Sequence, residues 1–343
     1  MMAKIQIGVV GAGRIGKMHT EHLMAMPEVE VKYVADLYLE PITDWAKKLG
    51  IPHITNDYRE LLADPDIDAI LVCTHTNKHV EIIVAAAEAN KHIFCEKPIS
   101  FDLSSTLRAL KAVEQHDVKL QVGFMRRFDH NFRRIYDCVQ AGKIGTPHIV
   151  KITSRDPEPP SKEYIQTSGG MPFDMTIHDY DMARFLTNSE VEEVYVQGAV
   201  LVDDIFAECG DIDTAVTTLR FQNGAIGVID NSRKAAYGYD QRVEVFGSKG
   251  SIAVDNDFNN TATISTADGI YQDKPKYFFL ERYQEAFQME MNAFIQAITT
   301  QQAVPVDGND GLQAELIAHA AARSIKEKRP VTIQEVKEDN QLK

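Results

Sequence analysis

Lys4-Ile-Gln-Ile-Gly-Val-Val10, running directly into Gly11-Ala-Gly13-Arg-Ile-Gly16, decides the fold. A short apolar strand followed at once by a Gly-x-Gly-x-x-Gly turn that opens a helix is the context a dinucleotide fingerprint requires. Gly11 permits the tight turn, Gly13 lets backbone approach a pyrophosphate, and Gly16 lets the helix pack on the sheet with its N-terminus aimed at the phosphates. The bland alternative is a merely glycine-rich turn. Asp36 lies twenty residues beyond Gly16, at the end of a second strand-like run. A carboxylate there accepts hydrogen bonds from both adenosine ribose hydroxyls and meets a 2′-phosphate with like charge. With Leu37 next and no arginine beside it, the site prefers NAD over NADP, unless Asp36 is only a solvated strand-end residue.

Outward from this turn, strand-like and helical stretches alternate. Residues 4–10, 31–35, 69–73, 92–95 and 119–122 are short, continuous apolar runs. Such runs fit a parallel sheet covered on both faces. Between them Val80, Ile83, Val84 and Ala87 form one helical stripe, and strand, helix, strand repeated in this way makes a doubly wound sheet. Pro41 suits the first turn of a helix that stops at Gly50, and Asp57 and Asp102 suit N-caps.

The pattern changes near Gly123. The fold class expected is therefore α/β: an N-terminal Rossmann domain over residues 1–123, then an α+β domain over 124–336 with a large, mostly antiparallel open sheet. A helix is expected over 128–140, a strand over 148–154, then the loop Arg155-Asp-Pro-Glu-Pro-Pro160, whose three prolines preclude regular structure. Residues 191–265 read as successive strands, with Val243 and Val245 facing one way and Arg242 and Glu244 the other. Helices follow near 281–299 and 310–327, the second striped by Leu312, Leu316 and Ala320.

Composition narrows the partners. The length of 343 residues suits two domains, and 44% hydrophobic with 25% charged residues is an ordinary globular balance. A net charge of -14 repels phosphate backbones and anionic lipid, leaving small molecules as the partners, with no nucleic acid and no membrane. No apolar run approaches the roughly 20 residues of a span, and no secretory h-region precedes the first strand, so a cytoplasmic protein is expected. Cys73, Cys95, Cys138 and Cys209 carry no Cys-x-x-Cys pair and read as buried, reduced thiols. His75 with His79 and His19 with His22 have helical spacing but no third ligand nearby, so no metal is expected.

Four stretches offer groups for chemistry. Glu96-Lys97-Pro98 ends a strand on the carboxyl edge, where doubly wound folds bind ligands, which puts Lys97 near a nicotinamide; alone, the tripeptide is more often a surface turn. Asp174 and His178 are spaced i and i+4 and share a face if they sit on one helix. An unperturbed imidazole titrates near pH ~6.5, which suits a general base, although a lone histidine is more often a surface or capping residue. Arg126 and Arg127 either bind a polar ligand or form salt links. Tyr237 and Tyr239 either cover a pocket or simply furnish a hairpin.

Taken together and in this order, these pieces resemble the Gfo/Idh/MocA family, which includes glucose–fructose oxidoreductase and inositol dehydrogenases. The shared motifs are Gly11-Ala-Gly13-Arg-Ile-Gly16, Thr74-His-Thr-Asn-Lys-His79, Glu96-Lys97-Pro98, Gly123-Phe-Met-Arg-Arg127, Asp174-Met-Thr-Ile-His178-Asp-Tyr-Asp181 and Tyr283-Gln-Glu-Ala-Phe287. Within the family, Ser154-Arg-Asp-Pro157, Ser168-Gly-Gly-Met and Tyr237-Gly-Tyr239 are most similar to NAD-dependent inositol 2-dehydrogenases. The resemblance implies a catalytic triad of Lys97, Asp174 and His178, with His178 as base, Lys97 on the reacting hydroxyl and Asp174 supporting both. It implies cofactor contacts from Gly11, Ala12, Gly13, Arg14, Ile15, Gly16, Asp36, Leu37, Thr74, His75, Asn77, His79, Glu96 and Lys97. It implies a polyol pocket with Arg126, Asp156, Tyr237 and Tyr239, and a homotetramer joined through the second-domain sheets. Similar enzymes often carry His-Arg-Asn-Pro where this chain has Ser154-Arg155-Asp156-Pro157, so myo-inositol, scyllo-inositol or another cyclic polyol or sugar all stay open. A non-catalytic NAD sensor would show a degraded triad, and an NADPH-dependent reductase is opposed by Asp36.

Overall fold

Two units, each with its own sheet, account for residues 4–342, which the computed structural model describes. The first takes in the described residues up to Met125 together with Phe287–Leu312. Its strands are β1 (Ile5–Val10), β2 (Val29–Ala35), β3 (His53–Thr55), β4 (Ala69–Val72), β5 (His92–Glu96) and β6 (Leu120–Gly123), all parallel, in the order β3-β2-β1-β4-β5-β6. The order reverses between β1 and β4, which opens the crevice at the strands' carboxyl ends where such sheets bind ligands.

Every residue of β4 and of β6 is buried. A strand with no wet face needs cover on both sides, hence the near-absence of polar side chains in these runs. One core cluster gathers Ile7, Val9, Leu23, Val31, Leu71 and Phe94 with Met291, Phe294 and Ile298, so the helix Gln284–Thr299 lays its apolar side on this sheet. The helix Glu40–Leu49 has Pro41 in its first turn and stops at Gly50 with φ 74°. Asp102 caps the helix Leu103–Gln115, accepting from the Ser105 amide at 2.8 Å.

Two sequence expectations need correction in this unit. β3 was not anticipated: it has three residues running from exposed to buried, too few for a period, and lies at the sheet edge beside β2. Asp57 is not the N-cap of the helix Arg59–Ala63, a position held by Tyr58, although its carboxylate accepts from the Arg59 amide at 3.0 Å.

The second unit comprises Arg126–Ala286 and the described residues from Gln313 onward. Its strands are β7 (Pro147–Arg155), β8 (Val191–Ala199), β9 (Thr214–Phe221), β10 (Ile226–Ser232), β11 (Asp240–Gly247) and β12 (Gly250–Val254), with a separate hairpin of β13 (Thr263–Thr266) and β14 (Gly269–Gln272), then β15 (Val331–Thr332). The seven-stranded order is β12-β11-β7-β10-β9-β8-β15, and β7 with β10 is its one parallel pair. In β9, Ala215, Thr217, Leu219 and Phe221 are buried while Val216, Thr218 and Arg220 are exposed, the alternation of a sheet with one wet face.

The helix Ile177–Thr187 packs on β7 and on the helix His130–Gln140. Ten of its eleven residues are buried, so no polar face is left and its charges must be paired internally. They are: Arg127 Nη2 donates to Asp181 Oδ1 at 2.6 Å, and Arg184 Nε to Glu190 Oε2 at 2.6 Å. Among the described residues no helix is long and apolar enough to cross a membrane.

Candidate active site and cofactor cradle

The turn after β1 is built by exclusion. Gly11 has φ +94°, and a Cβ there would meet the Cys73 carbonyl oxygen at 2.6 Å; a Cβ at Gly16 would meet the Gly11 carbonyl oxygen at 1.9 Å. Gly13 is different, since a Cβ there would meet nothing within 4 Å. The protein's own packing does not require Gly13, which leaves its bare backbone open to a ligand. The helix Arg14–Met24 starts at Gly13 with no side-chain cap and no acid in its first turn, so its leading N–H groups are suited to an anion. Asp36 stands beside the turn, its Oδ2 accepting from the Ala12 amide at 2.8 Å and its Oδ1 from the Tyr38 amide at 3.0 Å. Each oxygen retains a lone pair for a ribose hydroxyl. Leu37 is exposed beside it. A pyrophosphate at Gly13 and a ribose at Asp36 fit the cradle, and Ala12, Arg14 and Ile15 complete the turn.

Further along the edge, His79 joins two of the predicted segments. Its Nδ1 lies 2.8 Å from the Pro98 carbonyl oxygen and its Nε2 3.0 Å from that of Thr74, tying the turn after β4 to Lys97-Pro98 after β5. Burial lowers the pKa of this imidazole. His79 is therefore a buried brace, while His75 and Asn77 are exposed and Thr74 and Lys97 half-buried. His19 Nε2 lies 2.7 Å from Glu96 Oε1, and a Cβ on Gly123 would come within 2.8 Å of Glu96 Oε2. Behind them, Glu290 is fully buried, and desolvation together with the Glu96 charge pushes its carboxyl well above the carboxylate range. Neither His19 nor Glu290 was anticipated in this role, because nothing in local spacing connects them. All four cysteines are free; Cys95 and Cys138 are buried as expected, but Cys73 and Cys209 are only half-buried. Burial raises the Cys73 thiol well above its usual range, so it is held protonated.

In the second unit, Asp174 and His178 do not share one helix, which corrects the spacing argument. The short helix Met171–Asp174 ends at Asp174, and Ile177–Thr187 begins after a two-residue turn. The Thr176 amide reaches back to the Met171 carbonyl at 3.0 Å, and the His178 amide bonds Met175 rather than Asp174. Gly170, with φ +79°, turns the chain into this short helix, and the Asp211 carboxylate accepts from the Met171 amide at 3.0 Å.

Asp174 is gripped from both sides. Tyr164 Oη donates to its Oδ1 at 2.7 Å and Arg233 Nη2 to its Oδ2 at 2.8 Å. Arg233 Nη1 also donates to Asp156 Oδ2 at 3.3 Å, so Asp156 and Asp174 meet on one guanidinium. Burial pushes the Asp156 carboxyl up to about 6, the Arg233 charge opposing that rise and the Asp174 charge adding to it. His178, buried at 9% exposure, lies in the first turn of its helix. Arg233 was not singled out from the sequence; it follows β10 with no motif around it.

Arg126 and Arg127 both form salt links inside this unit. Arg126 Nη1 donates to Asp179 Oδ1 at 2.5 Å, with its Nη2 3.4 Å from Ser154 Oγ. Asn231 Nδ2 holds the other Asp179 oxygen at 2.8 Å, and Gln241 Nε2 donates to Ser154 Oγ at 3.1 Å. Tyr239 is buried edge-on to Phe278 and Tyr283. Tyr237 is half exposed, accepting from Arg155 Nη1 at 2.9 Å and donating to Asp240 at 2.5 Å. Among the described residues, no three His, Cys, Asp or Glu side chains are grouped so as to hold a metal ion.

Two family models match the chain: the oxidoreductase family with an NAD-binding Rossmann fold over residues 5–124, and the GFO/IDH/MocA C-terminal domain over residues 132–253. An uncharacterized oxidoreductase of Bacillus subtilis, YrbE, is 56% identical over 97% of this chain and 98% of its own. The myo-inositol 2-dehydrogenase of Thermotoga maritima is 46% identical over 97% of this chain and 99% of its own. The crystal structure of scyllo-inositol dehydrogenase from Lactobacillus casei with bound NAD(H) and scyllo-inositol superposes with TM-score 0.90 at 30% identity, covering 96% of this chain and 99% of that one.

Proposed function

Because the chain belongs to the GFO/IDH/MocA oxidoreductases, we propose that it oxidises a secondary hydroxyl of an inositol to the ketone, with NAD as hydride acceptor and His178 as proton acceptor. The observation that carries this reading is Asp174, four residues before His178, held on both oxygens by Tyr164 and Arg233 in a chain whose other unit carries the Gly13–Asp36 cradle. When bound, NAD supplies the nicotinamide carbon that takes the hydride. His178 removes the hydroxyl proton as the carbinol C–H bond breaks, and Lys97 hydrogen-bonds the reacting oxygen, stabilising the negative charge that develops there. Asp174 supports both.

Relatives act on myo-inositol in one case and scyllo-inositol in another by their names. We take Ser154 and Asp156, with Arg126, Tyr237 and Tyr239, as the groups that choose between them, since a site built to pair one set of hydroxyls leaves groups unpaired against another. The working form is taken as a homotetramer, as the family resemblance implies, and its compartment as the cytoplasm.

Purified protein incubated with NAD and a panel of inositols and pyranoses should form NADH with at least one inositol and far less with pyranoses. No NADH from any inositol overturns the reading. A pyranose preference or a requirement for NADP assigns the protein to another activity of the same family.

A further inference from the structure

We propose that Arg233 is a positioning residue for the reaction: one buried guanidinium holds the Asp174 carboxylate that supports the base and the Asp156 carboxylate taken above as a substrate contact, so the two act as one charged unit. This rests on the catalytic reading of Asp174 given above.

Arg233 is 3% exposed, its backbone N–H is anchored to the Asp213 carbonyl oxygen at 2.8 Å, and it sits where β10 ends. Its two terminal nitrogens divide between two carboxylates, at 2.8 Å to Asp174 and 3.3 Å to Asp156. Tyr164 donates to the other Asp174 oxygen, so that carboxylate is held on both oxygens and has little rotational freedom. A guanidinium presents its donors in a rigid planar fork, which is what a bridge between two carboxylates requires; a lysine ammonium is a single point charge on a flexible stem.

Charge makes the bridge necessary. Asp156 comes from the segment after β7, Asp174 from the helix Met171–Asp174, and Asp211 from the loop before β9; all three act electrostatically on this site. Arg126 and Tyr239 also act on Asp156 or lie within its field. Buried carboxylates that face one another drive one of the pair to take up a proton, and an opposite charge between them opposes it. Without Arg233, Asp174 or Asp156 protonates at a pH where the wild type keeps both ionised, and the support for His178 is lost.

The test uses the full chain with NAD and the inositol that gives NADH. In Arg233→Gln, the acid limb of the kcat/KM profile should move up by about 1 to 3 pH units, and kcat should fall roughly 10²-fold from misplacement of the supporting carboxylate. Arg233→Lys should move the limb less, because the charge is kept, while kcat still falls. Guanidinium ion should restore part of the Arg233→Gln activity and none of that of an Asp174→Asn control. Independently of turnover, carbon-13 carboxyl titration of aspartate-labelled protein should show an aspartate titrating higher in Arg233→Gln than in wild type. If Arg233→Gln does not fold, Arg233→Lys carries the test. A wild-type acid limb and kcat in the folded variants, with Asp174→Asn inactive, overturns the role of Arg233 and leaves the proposed activity standing. Undiminished turnover in Asp174→Asn overturns the catalytic reading instead, and an unmoved carboxyl titration overturns the charge clamp whatever the activity.

Discussion

At the scale of single residues, the strongest expectation concerns His178. His178→Ala should keep NAD affinity, because the cradle at Gly13 and Asp36 lies in the other unit, and lose roughly 10²- to 10⁴-fold in turnover, the usual worth of a general base. Unchanged turnover, with cofactor binding followed by the fluorescence of the reduced nicotinamide of NADH, removes His178 from the mechanism. Asp156 carries a second expectation, on stability. Its carboxyl is pushed up to about 6 by burial, above the ~3.9 of an unfolded aspartate. The folded state thus binds that proton more tightly, so the contribution is fully present at low pH and is lost as pH rises through the folded value. Asp156→Asn removes the charge while Arg233 keeps its bond to Asp174. Its melting temperature relative to wild type should therefore be higher near pH ~8 than near pH ~5. An equal difference at both pH values shows that Asp156 does not resist ionisation in the fold.

At the scale of elements, much of the fold was readable because periodicity and punctuation act locally. β1 and β4 announce themselves as apolar runs because both their faces are covered, and Gly50 ends its helix because φ 74° suits glycine. Asp102 is legible for the same reason: its carboxylate answers an amide three residues on. Asp102→Ala should cost about 1 kcal/mol in chemical denaturation, with the m-value unchanged; a neutral substitution would mean that Ser104 or water replaces the cap. What stayed hidden depends on tertiary partners. The helix Ile177–Thr187 shows no polar stripe because nearly all of it is buried, so spacing within it could not reveal that Asp174 belongs to a separate short helix. Arg233 and Asp174, or Glu290 and Glu96, are far apart in the chain, and only the folded sheet brings each set into one electrostatic neighbourhood. β3 escaped for the opposite reason, since three residues are too few for any period.

At the scale of the whole molecule, the second unit's open sheet bears on assembly. Strand register places Phe246 of β11 and Ile226 of β10 on either side of Ile149 in β7, which makes an apolar row across three adjacent strands. Phe246 and Ile226 are 45% and 52% exposed, and Val216 on β9 is 48% exposed. Around them stand Lys151 paired with Glu244 and Arg155 paired with Asp230, so the apolar row has a polar surround. A rimmed apolar patch on a sheet face is what a self-complementary interface needs, and a two-fold operator would bring the row against its own copy. The homotetramer implied by the family resemblance is expected to use this face. Light scattering after size exclusion should give about four chain masses for the wild type and a smaller assembly for Ile226→Glu/Phe246→Glu. Because both side chains already meet solvent in the single chain, each change should leave the folded protomer within about 0.5 kcal/mol of its original stability. A wild type that elutes as a single chain overturns the expected tetramer, and a double variant that stays tetrameric places the interface elsewhere.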